Sequence, residues 1–163
     1  MASVESEYIV DFVSMKLSRA DGLARGVSDL VLRLCAMHTG DNDCAERFRI
    51  AAHEMAENMI RYGGGDGVQF DAEVFRWAGE TCCRLRTRNS ATAERLRLVE
   101  ALLERLVQSD DAVDVYDELI EETASRSEGS GLGLARITCE SALALRYEIS
   151  GSELVVTAEG PLS

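Results

Sequence analysis

The segment AAHEMAENMIRYGGGDG, residues 51–67, joins a long helical pattern to an abrupt run of glycines. Glu54 and Asn58 are four positions apart, so a helix places this carboxylate and this carboxamide on one face. The glycine run from Gly63 cannot continue a helix cheaply, because each glycine costs about 1 kcal/mol relative to alanine. The segment therefore predicts a helix over residues 44–62, followed by a break.

On both sides of this segment, hydrophobic patterns predict the remaining elements. Apolar and β-branched runs bounded by turn residues predict five strands, over residues 8–15, 68–77, 81–88, 145–149 and 154–157. Apolar residues at helical spacing predict further helical regions, over residues 23–37, 89–124 and 132–144. The tail, residues 160–163, is expected to fray. This order predicts a two-layer α/β (α+β) sandwich, in which helices cover one face of a mixed, largely antiparallel sheet.

Length and composition favour a single folded domain over residues 1–163. A chain of 163 residues can bury a sizeable core, and 46% hydrophobic with 28% charged residues is typical of a globular protein. The sequence has no run of about 18 apolar residues, which predicts no membrane insertion. Its first residues lack the features of a signal peptide, so we expect a cytoplasmic protein.

Charge and cysteine content disfavour two classes of partner. The formal net charge is −12, which repels a nucleic-acid backbone, so nucleic acid is not an expected partner. The five cysteines form no CxxC pair and are interpreted as buried thiols rather than metal ligands.

A second glycine-rich stretch, Glu128-Gly-Ser-Gly-Leu-Gly-Leu134, follows the long helical region. Small residues allow backbone N–H groups to approach an anion, and the helix expected next adds its positive N-terminal end. Such a run can also be a mere flexible connection, just as polar residues four apart can be a solvated helix face. The Rossmann and Walker patterns do not fit, because no matching βαβ unit and no Lys-Ser or Lys-Thr pair follows.

Together, the Glu54-x-x-x-Asn58 pair with Tyr62-Gly63 and the later G-x-G-L-G-L run resemble the N box and the G2 box of the GHKL superfamily of Bergerat-fold ATPases and kinases. The resemblance covers residues 50–158. Within that superfamily the chain looks most similar to SiaB-type and anti-sigma-factor protein serine/threonine kinases, which are small standalone domains.

This resemblance implies ATP and Mg²⁺ as cofactors and assigns roles to particular residues. Glu54 would be the general base, Asn58 a ligand of Mg²⁺ and of ATP, and Arg61 a residue that neutralises phosphate charge. The helical insertion, residues 92–124, would be the ATP lid. The remaining ATP-binding residues would be Asn89, Gly129, Ser130, Gly131, Leu132 and Gly133.

The chain departs from the superfamily at the G1 box. Where most members have D-x-G-x-G, this sequence has Asn89-Ser-Ala-Thr-Ala93. An asparagine oxygen can still accept a hydrogen bond from the adenine amino group, but without charge assistance.

The resemblance as a whole implies a kinase that phosphorylates a small STAS-like (anti-sigma-antagonist) protein. The alternative is a degenerate GHKL domain that acts as a non-catalytic, partner-binding switch.

Three further features leave alternatives open. His53 and Glu57 flank the base on the same helix, and each has either a direct role or an ordinary structural one. The His53-Glu54 pair is not the start of a zinc-protease motif, because position 57 is glutamate rather than histidine. A homodimer is a further possible assembly.

Overall fold

The computed structural model describes residues 7–18, 22–123 and 132–163, and these ranges form one α+β fold. The described strands are β1 Tyr8–Leu17, β2 Gly64–Trp77, β3 Glu80–Ser90, β4 Ala144–Ser150 and β5 Glu153–Pro161. The described helices are α1 Leu23–Ala36, α2 Asn42–Tyr62, α3 Ala93–Gln108, α4 Ala112–Thr123 and α5 Leu132–Cys139. Within these ranges, no helix is long and apolar enough to cross a bilayer.

The strands form one sheet in the order β1-β2-β3-β5-β4. Every neighbouring pair of described strands is antiparallel. The predicted sheet was mixed and largely antiparallel, so the expectation of some parallel pairing was wrong. Ala72, Leu85, Ala158 and Leu145 stand side by side across four strands, and all are buried on one face. Helices cover that face, so the predicted two-layer sandwich is confirmed.

Helix α2 is the central helix, and its limits follow from local chemistry. Asp41 caps its start, because the Asp41 carboxylate accepts hydrogen bonds from the N–H groups of Asp43 and Cys44. At the other end, the N–H of Gly63 donates to the carbonyl oxygen of Met59 at 2.9 Å. A β-carbon at Gly63 would lie 2.5 Å from that oxygen, so the end of α2 requires glycine.

Strand β2 begins within the glycine run after α2, four residues earlier than the predicted start at residue 68. Strand β2 already begins at Gly64, which pairs with Ser90 of β3. The register then shifts between Gly64 and Gln69 before regular pairing resumes. The neighbouring strand thus extends the ladder into the glycine run, and glycine accommodates the irregularity.

The C-terminal part of the chain corrects two further predictions. Helix α5 ends at Cys139 rather than at residue 144, and the left-handed Ala142 follows it at φ 52°. The tail does not fray, because β5 continues to Pro161. Leu162 is buried, and its N–H donates to the carbonyl oxygen of Thr81 at 2.8 Å. A hydrophobic anchor therefore fixes the end of the chain.

The predicted helical insertion consists of α3 and α4, and it packs on the core. Leu103 of α3 is fully buried, and Val115 and Leu119 of α4 are buried as well. The Arg105 guanidinium links the two helices through hydrogen bonds to Glu118 and Glu122. The ligand-dependent ordering expected of a lid stays a prediction.

The sheet face opposite the helices carries a cluster of charged side chains around Arg84, here called the Arg84 cluster. Arg84 Nε donates to Glu159 at 2.8 Å, and its Nη1 and Nη2 donate to the two carboxylate oxygens of Glu7 at 2.9 Å each. Glu73 lies 3.5 Å from Nη1, and the guanidinium stacks 4.4 Å from the centroid of the Phe75 ring. The cluster therefore covers an aromatic ring that would otherwise face solvent.

Candidate functional site

A polar cavity of about 510 Å³ lies between α2, α4 and α5. This volume falls within the range of small-molecule sites in proteins. Helix α2 contributes Glu54, Asn58 and Arg61, and α5 contributes Leu132 and Gly133. The cavity therefore brings together five of the residues that the sequence assigned to one site, from segments far apart in the chain.

Glu54 is the most deeply buried carboxylate of the cavity, at 8% exposed. Its Oε1 accepts a hydrogen bond of 2.5 Å from Nη1 of Arg136. Burial nevertheless raises the pKa of Glu54 above its usual range, because the loss of hydration outweighs the attraction of the Arg136 charge. A buried carboxylate with a raised pKa is the type of group that functions as a general base or acid.

Gly133, the second residue of α5, packs directly against both functional groups of α2. A β-carbon at Gly133 would lie 2.5 Å from Oε2 of Glu54 and 3.1 Å from Nδ2 of Asn58. Any larger residue would displace the carboxylate and the amide. The close approach of the two helices therefore explains the glycine at this position.

Asn58 carries a polar atom that has no hydrogen-bond partner among the described residues. Its Nδ2 is buried, and no described residue makes a hydrogen bond with it. Leaving such a group unpaired costs about 1–3 kcal/mol, and an unpaired group in a native structure calls for an explanation such as a ligand or an ion. In a cavity, an amide of this kind suits a polar ligand that supplies the missing bond.

The other predicted residues of α2 lie along the rim. His53 and Glu57 both line the cavity, and His53 Nε2 lies 3.6 Å from Glu57 Oε1. The exposed Arg61 guanidinium lies 6.0 Å from the centroid of the Tyr62 ring. Arg61 thus gives the cavity a solvated positive charge one turn beyond Asn58.

Asn89 does not line this cavity. It lies on β3, where its Nδ2 donates to the carbonyl oxygen of Ser90 at 3.4 Å, and it is the side chain beside Gly63. It borders a separate depression of about 390 Å³ together with Lys16 and Arg88. Its proposed contact with adenine remains a prediction. Three residues of the expected phosphate loop, Gly129, Ser130 and Gly131, lie outside the described residues.

Sequence reasoning missed three residues of the cavity, Tyr116, Arg136 and Glu140. Gly133, Arg136 and Glu140 are spaced by three and four, which places them on one helical face and could have singled out the arginine. Tyr116 belongs to the predicted lid, and no local pattern distinguishes it from the other apolar residues of α4. All three reach the cavity only through tertiary packing.

The arrangement suits an anionic ligand that carries a small, hard cation. Arg61 and Arg136 supply positive charge, and Asn58 supplies an amide with both a donor and an acceptor. Among the described residues, no group of three or more histidine, cysteine or acidic side chains is placed to enclose a metal. Mg²⁺ usually takes one or two protein oxygens and completes its shell with phosphate and water, so the donor set fits that ion. Comparisons of the chain with known protein-family models and with curated proteins give no match.

Proposed function

We propose that this protein is an ATP- and Mg²⁺-dependent protein serine/threonine kinase, with the GHKL resemblance as its family assignment. It transfers the γ-phosphate of ATP to a small STAS-like partner protein in bacterial partner-switching signalling. Such a kinase would act in the cytoplasm, where ATP is available. The proposal combines the two sequence motifs with the chemistry of the cavity.

One observation carries the proposal: Glu54 and Asn58 converge on Gly133, across the interface between α2 and α5. The two motifs are distant in sequence, and nothing in their local patterns requires them to meet. The carboxylate of Glu54, the Asn58 amide, whose Nδ2 has no partner among the described residues, and the first turn of the helix that follows a glycine-rich segment lie in contact. This combination matches what phosphoryl transfer needs.

Three charged side chains of the cavity have defined tasks in the proposed reaction. Glu54 accepts the proton of a serine or threonine hydroxyl on the partner while that oxygen bonds to the γ-phosphorus. The bond between this phosphorus and the bridging oxygen breaks, and ADP leaves with the bonding electrons. Arg61 and Arg136 compensate the charge of the phosphate groups, which the acidic chain would otherwise repel.

Asn58 is the residue that would hold Mg²⁺, through its carbonyl oxygen, and its N–H groups would donate to a phosphate oxygen. The ion, when bound, neutralises phosphate charge and orients the transferred group. We expect Asn58→Ala to weaken ATP binding and to remove its dependence on magnesium.

A second candidate function is a non-catalytic switch that captures its partner in a nucleotide-dependent manner. Two observations favour it. Glu54 is already engaged by Arg136, which lowers its availability as a base, and Asn89 of the altered G1 box lies outside the cavity. In this alternative, nucleotide would be a structural ligand of the domain.

Substitution of Glu54 by glutamine separates the two functions. The amide is nearly isosteric, so the variant should retain ATP binding, while phosphate transfer to a STAS-domain protein of the same genome should fall about 10²–10⁴-fold. Mass spectrometry of the partner after incubation with magnesium and ATP measures the transfer, and calorimetry measures the binding.

Glu46→Gln on the same helix is the matched control. Glu46 lies outside the cavity and pairs with Arg49, so this variant should transfer phosphate like the parent. If the parent binds ATP but phosphorylates no partner, or if Glu54→Gln transfers as fast as the parent, the kinase proposal fails. The partner-binding switch would then be the better description.

A further inference from the structure

Arg136 is placed where it can control the base of the cavity. Its side chain is 39% exposed, whereas that of Glu54 is 11% exposed. Nε and Nη2 of Arg136 donate to the two carboxylate oxygens of Glu140 at 3.1 and 3.0 Å. The Nη1 group points the other way, to Glu54. One side of the guanidinium is thus anchored by the residue that follows the end of α5, and the other side binds the buried carboxylate.

In this arrangement, Arg136 competes with a substrate hydroxyl for the Glu54 carboxylate. Its Oε1 already accepts the short hydrogen bond from Arg136, and its Oε2 faces the α-carbon of Gly133 with no room for a β-carbon. A substrate hydroxyl needs a free lone pair on one of these oxygens, within hydrogen-bond reach. Opening the contact between Arg136 and Glu54 would free Oε1 for this hydrogen bond.

A phosphate group is the natural competitor for Arg136. A guanidinium binds phosphate through parallel, charge-assisted hydrogen bonds, at least as well as it binds a carboxylate. Arg136 and Arg61 are the two arginines among the described residues that line the cavity, where they face the carboxylates of Glu54, Glu57 and Glu140. Arg136 is already paired with Glu54, so a polyanion that enters this cavity competes with that carboxylate for the guanidinium.

We infer that Arg136 is a nucleotide-responsive positioning residue: without ATP it binds and blocks Glu54, and with ATP its Nη1 group moves to the phosphates and frees the carboxylate. This inference rests on the proposed function. It adds a device by which the base becomes available only when the phosphoryl donor is present. Glu140 keeps the guanidinium at the cavity during the exchange of partners.

The exchange predicts a competition that a merely structural ion pair would not produce. Because Glu54 and ATP compete for one cation, Glu54→Gln should tighten ATP binding several-fold in the parent background. The same substitution should have no such effect when residue 136 is methionine. Arg136→Met alone should weaken ATP binding about 10- to 100-fold, as expected for the loss of a charge-assisted contact.

The test is a double-mutant cycle on nucleotide affinity. Calorimetry with magnesium and a non-hydrolysable ATP analogue would compare the parent, Glu54→Gln, Arg136→Met and the double variant. Arg136→Lys is the second variant in case Arg136→Met does not fold, because it keeps the charge but cannot span Glu54 and Glu140 together. We expect its affinity to fall between those of the parent and Arg136→Met. Arg33→Met, on the last turn of α1 outside the cavity, is the matched control and should bind like the parent.

The outcomes separate the inference from the proposed function. If the parent binds the analogue and Arg136→Met, or Arg136→Lys in its place, binds it equally well, the inference is overturned and the kinase proposal stands. Additive effects of the two substitutions would also overturn it, because competition requires coupling. If the parent does not bind the analogue at all, the proposed function fails and the inference fails with it.

Discussion

Two arginine-centred ion-pair groups lie in different layers of this molecule, and they place their carboxylates in opposite electrostatic states. In the Arg84 cluster, the hydrogen bond from Arg84 lowers the pKa of Glu7. In the cavity, burial raises the pKa of Glu54, although Arg136 is closer to it than Arg84 is to Glu7. The arginine therefore favours the ionised carboxylate in both places, but at Glu54 the loss of hydration outweighs its effect.

The difference lies in hydration and in the number of partners. Glu7 is half-exposed and keeps much of its water, so the contact with Arg84 adds to its stabilisation. Glu54 has lost most of its contact with water and receives one hydrogen bond in exchange from the described residues. The neighbouring Nδ2 of Asn58 makes none with them. A buried charge is stable when its hydrogen bonds are complete, and an incomplete set indicates a site that awaits a ligand.

The largest effect is expected from Gly133→Ala in the cavity, and it concerns the rate of phosphate transfer. The new β-carbon would push against Oε2 of Glu54 and Nδ2 of Asn58, both ends of side chains, so the site would shift while the fold survives. A displacement of about 1 Å at reacting groups can cost about 10²-fold in rate. We expect phosphate transfer to fall by that order, as measured by the initial rate of partner phosphorylation.

Gly26→Ala in α1 is the control, because a β-carbon there meets open space. Both alanines improve helix propensity by up to about 1 kcal/mol, so urea denaturation should show neither variant to be strongly destabilised. A Gly133→Ala protein that transfers phosphate at the parental rate would mean that the close approach of α5 to Glu54 and Asn58 has no part in the chemistry.

The second largest effect is expected from Arg84→Met in the Arg84 cluster, and it concerns stability. Replacing Arg84 by methionine removes hydrogen bonds to Glu7 and Glu159, leaves three carboxylates near one another, and uncovers Phe75. We expect a loss of about 1–3 kcal/mol in the free energy of unfolding, because the carboxylates are part-exposed and partly rehydrate. Phosphate transfer by the folded protein should not change.

Arg88→Met on the same strand and face is the matched control. Arg88 has one exposed contact, 3.7 Å from Glu153, and such pairs contribute about 0–1 kcal/mol. Urea unfolding of both variants at neutral pH makes the comparison. Equal losses from the two substitutions would show that the Arg84 cluster is no more than a set of independent surface pairs.

Sequence reasoning succeeded where the signals were local. The end of α2 was predicted because the glycine run from Gly63 opposes a helix, and its start was predicted at residue 44, two positions after the observed start at Asn42. The five strands and the helices followed from hydrophobic periodicity, and so did the two-layer architecture. Each of these features depends on residues within a few positions of one another.

The errors and omissions involve contacts between distant parts of the chain. Leu162 is anchored by Thr81, and Gly64 joins the sheet through Ser90, so neither the ordered tail nor the extended β2 is visible in a local pattern. The contact between Arg136 and Glu54 joins residues 82 positions apart. The sequence placed Glu54, Asn58 and Gly133 in one site by resemblance, but their packing against each other required the folded chain.

The smallest effect, and the one that tests the electrostatic contrast directly, is the pH dependence of stability in Glu7→Gln and Glu54→Gln. The pKa of Glu7 is lowered from its ordinary value of 4.5, so its contribution is present above that value and is lost as the pH falls through the folded-state pKa. The parent should therefore exceed Glu7→Gln in stability at neutral pH, and the difference should shrink in acid.

The difference in stability between the parent and Glu54→Gln should have the opposite sign. Its pKa is raised, so the folded protein takes up a proton more readily than the unfolded chain does, and ionising Glu54 costs stability. This cost is absent below the unfolded-state pKa, grows as the pH rises through the raised folded-state pKa, and is constant above it. Glu54→Gln should accordingly be more stable than the parent at neutral pH, with the advantage disappearing in acid. Urea unfolding of the nucleotide-free proteins between about pH 4 and pH 8 measures both differences. If Glu54→Gln loses stability at neutral pH as Glu7→Gln does, the ion pair with Arg136 outweighs the burial of Glu54, and the cavity holds a structural salt bridge rather than an unsatisfied base.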